Sequence, residues 1–252
     1  MGNNGIRSAL VTVALVGGWV AAPSAVIADD RFDQDEVRSI EEIVRDYILA
    51  NPEIISEANQ ILEARKEAAK KARARELISA NMHELVADTH SFVAGNPDGD
   101  VTVVEFFDYR CPYCRGWMPK INAMLEEDPN IRLMLKEYPI LRPDSLTASQ
   151  AAIASIPQGN YKEFHNALLA AKGTLSEEAV MEIAAELGLD TERLKADIKD
   201  IRVQDTIDKN KALAKALELL GTPTFIVGDQ FFEPWLSVDE FKAMIAAERS
   251  SG

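Results

Sequence analysis

Residues 101–114 read VTVVEFFDYRCPYC, and this stretch decides the fold class of the 252-residue chain. Its first half, Val101–Phe107, is β-branched, aromatic and almost continuously apolar, which is typical of a central strand covered on both faces. A Cys-x-x-Cys pair follows, and apolar residues then recur at helical spacing from Trp117 to Leu125. Ile131–Tyr138 is another apolar segment, so strand, helix and strand predict a βαβ unit.

The segments around this unit predict an α/β fold with a helical interruption. A short strand is expected at Thr89–Val93, and residues 145–220 have the pattern of a run of helices. The β pattern returns at Thr224–Val227 and Phe231–Phe232, and Ser237–Arg249 forms a final amphipathic helix. The chain therefore predicts a β/α/β part and a β/β/α part with helices between them.

Composition excludes several classes of protein. The formal net charge is −14, from 27 Lys and Arg against 41 Asp and Glu. This excess of acid argues against nucleic acid as a partner, because such binding needs cations that displace the counterions of phosphate. At 47% hydrophobic residues the chain can bury enough surface to fold. Its two cysteines are too few for a disulfide-stapled miniature scaffold or a four-cysteine zinc ribbon.

The first 28 residues predict a secretory signal peptide. Arg7 is their only charged side chain, an apolar run covers residues 9–16, and the residues before Ala28 suit cleavage by a signal peptidase. A retained membrane anchor is the alternative, because residues 9–28 are just long enough to span a bilayer. We therefore expect the protein to work in the periplasm, where disulfides form and persist.

A helical region follows the signal peptide. Apolar residues recur at spacings of three and four between Val37 and Ile48, and Asn51-Pro52 interrupts the pattern before a second helix. That helix loses its apolar stripe over Glu63–Glu76, where strong helix formers dominate. Two interpretations are open: a solvated helix folded against the main domain, or an oligomerisation arm that pairs with copies of itself.

Cys111 and Cys114 carry the predicted chemistry. A cysteine between an apolar strand and the first turn of a helix lies near the free N–H groups and the positive dipole end of that helix, which stabilise thiolate over thiol. Since thiolate is the nucleophile of thiol–disulfide exchange, Cys111 is the predicted attacking residue, and Cys114 resolves the mixed disulfide. Pro112 suits the early helical position between them.

Three other interpretations of the cysteine pair are open. A structural disulfide across so short a loop would restrict the unfolded chain little. A zinc site would need partners among the histidines, none of which has finger-like spacing: His83, His90 and His165. Two thiolates could bind Cu(I), a soft ion, beside the redox chemistry. We predict no other metal and no cofactor besides the redox-active cysteine pair.

Two further residues are predicted to serve the thiols. Glu105 is a carboxylate within an apolar strand, and we hypothesise that a raised pKa lets it relay a proton for Cys114. The alternative is an edge carboxylate that reaches solvent. Pro223 stands at a strand entrance without the N–H that a central ladder needs, so it is a candidate cis proline, with an ordinary trans loop proline as the alternative.

Together these motifs resemble a known family. Residues 106–114 (FFDYRCPYC) and 221–225 (GTPTF) resemble the thioredoxin-fold, DsbA-like disulfide oxidoreductases with an inserted helical domain, over about residues 86–249. Residues 43–48 and 51–54 look like the branch of the suppressor-of-copper-sensitivity protein C (ScsC). Some members of that branch trimerise through an N-terminal helical stalk and isomerise disulfides.

The resemblance implies the organisation of the chain and the role of each matching residue. The predicted parts are a signal peptide (1–28), a helical stalk or oligomerisation region (29–85) and a thioredoxin-like catalytic domain (86–252) with a helical insertion at about 143–205. Cys111 matches the nucleophile, Cys114 the resolving thiol, Glu105 the buried acid and Pro223 the cis proline that faces the disulfide. The implied substrate-binding surface consists of Thr222, Pro223, Pro112 and Tyr113.

Two features differ from the dithiol oxidases of the family. The central dipeptide is Pro112-Tyr113 where the oxidase has Pro-His, and Thr222 resembles the isomerases where the oxidase usually has valine. We therefore predict a periplasmic disulfide isomerase that acts on misfolded secreted proteins as a homo-oligomer, with a trimer favoured. A membrane thiol reductase of the DsbD or ScsB type would keep it reduced. A monomeric dithiol oxidase and a copper(I)-binding protein that uses the same thiols are the alternatives.

Overall fold

A computed structural model describes residues 32–232, 234–235 and 237–251, so the predicted signal peptide (1–28) lies outside the described residues. Five strands form one sheet in the described chain: β1 (Phe92–Gly95), β2 (Val101–Phe107), β3 (Ile131–Glu137), β4 (Thr224–Val227) and β5 (Gln230–Phe232). The helices before and within the β/α/β part are α1 (Gln34–Ala50), α2 (Glu53–Ala80), α3 (Met82–Val86) and α4 (Pro112–Glu127). The helices after β3 are α5 (Pro143–Ser155), α6 (Tyr161–Ala170), α7 (Glu177–Glu186), α8 (Thr191–Asp197), α9 (Ile201–Ala216) and α10 (Val238–Ser251).

The sheet has the strand order β1-β3-β2-β4-β5. Strands β2 and β3 are parallel and are joined through α4, which confirms the predicted βαβ unit, and the other neighbouring pairs are antiparallel. Helices α5 to α9 then connect β3 to β4, with a 3-10 turn at Ile156–Gln158. This arrangement is the predicted thioredoxin-like α/β fold with inserted helices. The predicted end of the insertion, near residue 205, falls inside α9.

The first strand begins later than predicted. Strand β1 covers Phe92–Gly95, whereas the apolar pattern predicted Thr89–Val93. The Asp88 carboxylate accepts hydrogen bonds from the backbone N–H groups of His90 and Ser91, at 3.0 and 2.7 Å. These bonds hold the residues before Phe92 in a turn, because an aspartate side chain competes with the backbone for local partners.

The N-terminal helices are separated at the predicted break, Asn51-Pro52. Asp33 caps α1 and forms a capping box with Glu36, so two of the free N–H groups of the first turn are satisfied. The helix ends at Ala50, and Pro52 stands just before the first residue of α2. No residue of α1 is buried, although it carries a stripe of exposed apolar side chains: Val37, Ile40, Ile43, Val44 and Tyr47.

The chain divides into two compact units between Gln60 and Ile61. Helix α2 crosses this division, and its C-terminal part belongs to the core of the second unit. There Ile78 and Leu85 are fully buried and cluster with Phe106 and other residues on one face of the sheet. The predicted boundary at residue 85 therefore lies within the second unit, and the role of residues 29–85 as a separate domain stays a prediction.

The other face of the sheet carries the larger core and positions α4. Trp117 on α4 packs against three phenylalanines at ring-centroid distances of 5.3–5.7 Å: Phe225, Phe232 and Phe241. Its indole N–H donates to the carbonyl of Pro234 at 2.9 Å. Because aromatic pairs add specific geometry to apolar burial, this cluster holds α4 against β4, β5 and α10.

Candidate active site

Cys111 and Cys114 lie where the end of β2 meets the start of α4. Cys111 is the N-cap of α4 in an extended conformation, and Pro112 occupies the first helical turn, where its missing N–H costs nothing. Both cysteines are free thiols. Cys111 retains 3% exposure and Cys114 has none, and the intervening Tyr113 is largely exposed. The first thiol is therefore the one nearer to solvent.

The two thiols have opposite electrostatic surroundings. The Cys114 thiol donates to Cys111, and this hydrogen bond, with the N–H groups of Cys114 and Tyr113, outweighs burial and lowers the pKa of Cys111 to about 6. Burial, followed by the hydrogen bond to Cys111, raises the pKa of Cys114 far above its ordinary value. Cys111 is thus a thiolate at neutral pH and Cys114 a thiol, because the hydrogen bond from Cys114 stabilises the anion of Cys111 whereas burial disfavours ionisation of Cys114.

The loop before β4 lies against Cys111. The Thr222–Pro223 peptide bond is cis, the conformation that the position of Pro223 predicts. The Sγ of Cys111 lies 3.0 Å from the backbone carbonyl oxygen of Thr222, to which its thiol form donates. The fold thus brings together residues that are 111 positions apart in the sequence. Four of the predicted site residues therefore lie together at one end of the sheet: Cys111, Pro112, Thr222 and Pro223.

Glu105 lies in the middle of the sheet. In β2 it stands between Leu135 of β3 and Phe225 of β4, and it is 5% exposed. Burial, followed by the charge of Cys111, raises the pKa of its carboxyl to about 8. The alternative of an edge carboxylate is wrong, because β2 is paired on both sides. The predicted raised pKa is present, and the role as a proton relay stays a prediction.

The residue after β2, Asp108, has a structural role that the sequence did not reveal. Its fully buried carboxylate accepts hydrogen bonds from the backbone N–H groups of Arg110, Ile140 and Leu141 and from the hydroxyl of Ser145, at 2.6–2.9 Å. These bonds tie the turn before Cys111 to the segment between β3 and α5. Aspartate at the end of an apolar strand was the available signal, but its partners are distant in sequence.

Tyr109 and Glu137 form a second buried cluster behind the thiols. The Glu137 carboxyl accepts from the hydroxyls of Tyr109 and Tyr161 at 2.9 and 2.7 Å and from Ser149 at 2.6 Å. These hydrogen bonds lower the pKa of Glu137, but the effect of burial is larger and raises it to about 8. A glutamate at the end of the apolar strand Ile131–Glu137 was the only sequence signal for this cluster.

The three histidines lie at separate places in the fold. His83 is in α3, His90 is in the turn before β1, and His165 is in α6. Within residues 32–251, apart from the undescribed positions 233 and 236, no three His, Cys, Asp or Glu side chains form a group that could hold a metal ion.

Comparisons with known proteins agree with this geometry. A family profile described as Thioredoxin matches residues 87–247, and one described as Copper resistance protein ScsC N-terminal domain matches residues 36–69. The chain belongs to the DsbA-like thioredoxin family, in its ScsC branch. The resemblance inferred from the motifs is therefore confirmed, and this ScsC-branch protein has the fold of the thiol–disulfide oxidoreductases.

Two solved structures illustrate the match. A thioredoxin-like oxidoreductase from Silicibacter pomeroyi DSS-3 is 41% identical, covers 68% of this chain and 98% of its own, and gives a TM-score of 0.65. ScsC of Proteus mirabilis in a transitional conformation is 24% identical, covers 88% of this chain and 100% of its own, and gives a TM-score of 0.65. The second is a likeness of fold that extends over the N-terminal helices.

One curated relative is a much longer protein that matches this chain over part of its length. The Na⁺/H⁺ antiporter NhaA 1 of Salinispora arenicola is 30% identical over 191 residues, which are 74% of this chain and 29% of that protein. The chain thus spans less than a third of the length of the curated relatives that it matches first. Among the described residues of this ScsC-branch protein, no helix has the length and apolar character to cross a membrane.

Proposed function

We propose that this chain is a protein disulfide isomerase of the periplasm, which attacks wrong disulfides of misfolded secreted proteins and works as a homo-oligomer, with a trimer favoured. The proposal depends on membership of the thiol–disulfide oxidoreductases and on the predicted signal peptide. Cys111 is the nucleophile, because it is the thiol with the lowered pKa at the more exposed position. Thr222, Pro223, Pro112 and Tyr113 form the surface on which an extended substrate peptide lies.

The exposed apolar face of α1 is the observation that supports the proposed oligomer. Ile43 and Tyr47 are 67% and 60% exposed, and they continue the stripe of Val37, Ile40 and Val44. A continuous apolar stripe on a helix favours burial against a partner, at roughly 25 cal/mol per Å² of apolar surface removed from water. The matching copies of this helix in other chains are the proposed partners. Several active sites would then surround one misfolded client.

The isomerisation steps follow from the two pKa values. The Cys111 thiolate attacks one sulfur of a wrong disulfide, forms a mixed disulfide and releases one client thiolate. A different client thiolate then attacks the client sulfur of the mixed disulfide. The bond between that sulfur and Cys111 breaks, a different client disulfide forms and the Cys111 thiolate leaves. No electrons are lost in this cycle.

Cys114 provides an escape when the client does not rearrange. It transfers its proton to the Glu105 carboxylate and attacks the sulfur of Cys111, which breaks the mixed disulfide and releases the client as a thiolate that takes up a proton from solvent. The product is a Cys111–Cys114 disulfide, and two electrons from a membrane thiol reductase of the DsbD or ScsB type restore the dithiol. Such a reductase is the proposed physiological partner.

Refolding of a scrambled, fully disulfide-bonded substrate tests the isomerase. We expect the wild-type chain to restore substrate activity and the double variant Ile43→Glu/Tyr47→Glu to lose most of this effect, while still oxidising a reduced peptide. The matched control is Glu42→Lys, on the opposite side of the same helix at 100° per residue. Equal isomerase rates for the wild type and the double variant would contradict the proposal.

A monomeric dithiol oxidase is the second candidate. The lowered pKa of Cys111 favours it, because a stabilised thiolate stabilises the reduced form and makes the disulfide a stronger oxidant. The same test separates the two candidates, since an oxidase converts reduced substrate faster than scrambled substrate.

The two thiols could also hold Cu(I), because soft thiolates suit this ion and linear two-coordinate binding needs no third ligand. Copper binding without turnover predicts that Cys114→Ser retains biological activity, whereas exchange catalysis predicts that this variant traps mixed disulfides through Cys111. Isolation of the variant from cells under non-reducing conditions distinguishes the two.

A further inference from the structure

A buried imidazole links the Glu137 cluster to the region of Glu105. The Nδ1 atom of His165, on α6, lies 3.1 Å from the hydroxyl oxygen of Tyr109. That hydroxyl also lies 2.9 Å from Glu137, to which it donates. The His165 ring packs edge-on against Phe107 and parallel to Tyr161, at centroid distances of 4.7 and 5.7 Å. Its position is thus set by packing on two sides.

These contacts favour the tautomer of His165 that carries its proton on Nδ1. Burial lowers the pKa of His165 to about 3, so the ring is neutral and has one N–H donor and one acceptor nitrogen. Since the single proton of the Tyr109 hydroxyl is used toward Glu137, its oxygen accepts from Nδ1–H of His165. The other nitrogen, Nε2, is therefore an acceptor, and no described residue donates to it.

His165 and Glu105 line the same small cavity between the sheet, α4 and α6. Its volume is about 20 Å³, and a buried water needs about 10–15 Å³ and two to four polar partners. The other polar residues of its wall are Asn122, Lys162 and Asn166, and Asn122 donates to Asn166 at 3.2 Å across the two helices. No described residue forms a hydrogen bond with the Glu105 carboxyl.

We propose that His165, oriented by Tyr109 and Glu137, holds a water molecule against the carboxylate of Glu105 and is a positioning residue for proton transfer from Cys114. The water donates one hydrogen to Nε2 of His165, which directs its second hydrogen toward Glu105. A donor at this place favours the ionised carboxylate, the form that accepts the Cys114 proton. The inference rests on the proposed resolving role of Cys114.

The groups that surround Glu105 are few, so the water has a measurable effect. The strand partners Leu135 and Phe225 are apolar. The titratable groups near the carboxyl belong to the start of α4 and to α6: Cys111, Cys114, Tyr161, Lys162 and His165. Of these, His165 and Lys162 line the cavity, and His165 is the one whose acceptor atom the fold fixes.

An aryl disulfide, 5,5′-dithiobis(2-nitrobenzoate), separates the two thiols in the full-length reduced protein. Attack by Cys111 releases one coloured thiolate, and attack by Cys114 on the mixed disulfide releases a second. We expect His165→Phe to raise the pH midpoint of the second phase by about one unit, the size of one lost hydrogen bond, and to slow it about tenfold at pH 7. The midpoint of the first phase stays unchanged.

Three further variants keep the test decisive. Tyr161→Phe removes an equal hydrogen bond to Glu137 without one to His165, and it leaves the second midpoint in place. Tyr109→Phe releases the His165 ring and shifts this midpoint in the same direction as His165→Phe, so it carries the test if His165→Phe does not fold. In a Glu105→Gln background, His165→Phe has no additional effect on the second phase.

The outcomes are distinguishable. An unshifted second phase in His165→Phe, an equal shift in Tyr161→Phe, or an additional shift in the Glu105→Gln background overturns the positioning role. If the wild-type protein itself shows no second phase, the resolving role of Cys114 fails instead.

Discussion

At the scale of single residues, the two thiols differ because they are one helical turn apart in an electric field that changes over that distance. Cys111 receives hydrogen bonds from the Cys114 thiol and from N–H groups of the first turn of α4, whereas Cys114 is enclosed by apolar side chains and stands near Glu105. The free N–H groups and positive dipole end of a helix act mainly within its first turn. One residue is thereby an anion and the other a buried acid.

Alkylation of the reduced protein with iodoacetamide tests this difference. Since the pKa of Cys111 is lowered to about 6, we expect the rate of modification at Cys111 to rise with a midpoint near pH 6. At that pH it should exceed the rate of a free cysteine by about tenfold, after allowance for the lower nucleophilicity of a low-pKa thiolate. Peptide mass spectrometry identifies the modified residue, and Cys111→Ser is the control. A midpoint near that of a free thiol contradicts the assignment.

Glu105 makes folding stability depend on pH in the opposite sense to a salt-bridged acid. Its pKa is raised from 4.5 in the unfolded chain to about 8 in the fold, so both states are neutral below pH 4 and the unfolded state loses its proton first as pH rises. Stability from this group therefore falls between pH 4.5 and 8. We expect Glu105→Gln to raise the free energy of unfolding at pH 7 by on the order of 3 kcal/mol.

Urea unfolding of wild type and Glu105→Gln at pH 4 and pH 7 measures this dependence. The stability difference should be small at pH 4, where the wild-type carboxyl is neutral in both states. A stabilisation of equal size at both pH values would show that the amide improves packing and that ionisation of Glu105 is not the cause.

At the scale of elements, α2 shows how one helix changes its surroundings along its length. Its N-terminal residues are exposed, whereas Ile78 is fully buried among residues of the sheet. Two ion pairs within the second unit join this helix to later residues, from Arg73 to Glu218 and from Arg75 to Asp229. Because both pairs are solvent-exposed, each contributes roughly 0–1 kcal/mol, and the apolar contact of Ile78 sets the position of the helix end.

Two isoleucines of α2 provide a matched comparison. Ile78 is 0% exposed and Ile61 is 55% exposed. Removal of buried methyl and methylene groups also leaves a cavity, so we expect Ile78→Ala to lower the free energy of unfolding of the second unit by about 2–5 kcal/mol. Ile61→Ala should change it by roughly 0.5 kcal/mol or less in dilute, monomeric samples. Urea denaturation followed by tryptophan fluorescence measures both, and equal effects would contradict the assignment of Ile78 to the core.

At the scale of the whole molecule, the proposed assembly depends on α1. The net charge of −14 repels like copies at long range, so association must come from apolar contact that salt does not weaken. This differs from an arm held by its basic residues to an acidic partner, which high salt would release.

Molar mass in solution separates these cases. By sedimentation equilibrium we expect a mass about three times that of one chain, unchanged when the salt concentration rises from about 0.1 M to 1 M, because screening acts on charges and not on apolar burial. The double variant Ile43→Glu/Tyr47→Glu should have the mass of a single chain, and Glu42→Lys should keep the wild-type mass. A wild-type monomer would favour the oxidase.

The sequence by itself determined those features that depend on near neighbours. The strand Val101–Phe107, the helix start at Pro112, the break at Asn51-Pro52 and the cis bond before Pro223 were all predicted, because strand pattern, dipole and proline geometry act within a few residues. The thiol chemistry followed from the same local rules.

Only the tertiary structure decided which groups surround the buried acids. Tyr109 meets Glu137 from 28 positions away and His165 from 56, and Asp108 binds backbone N–H groups more than 30 positions further on. The helices inserted between β3 and β4 bring these groups together. The sequence pattern does not show which residues distant along the chain come into contact. A buried polar group needs a hydrogen-bonding partner, but the identity of that partner is a property of the packed fold.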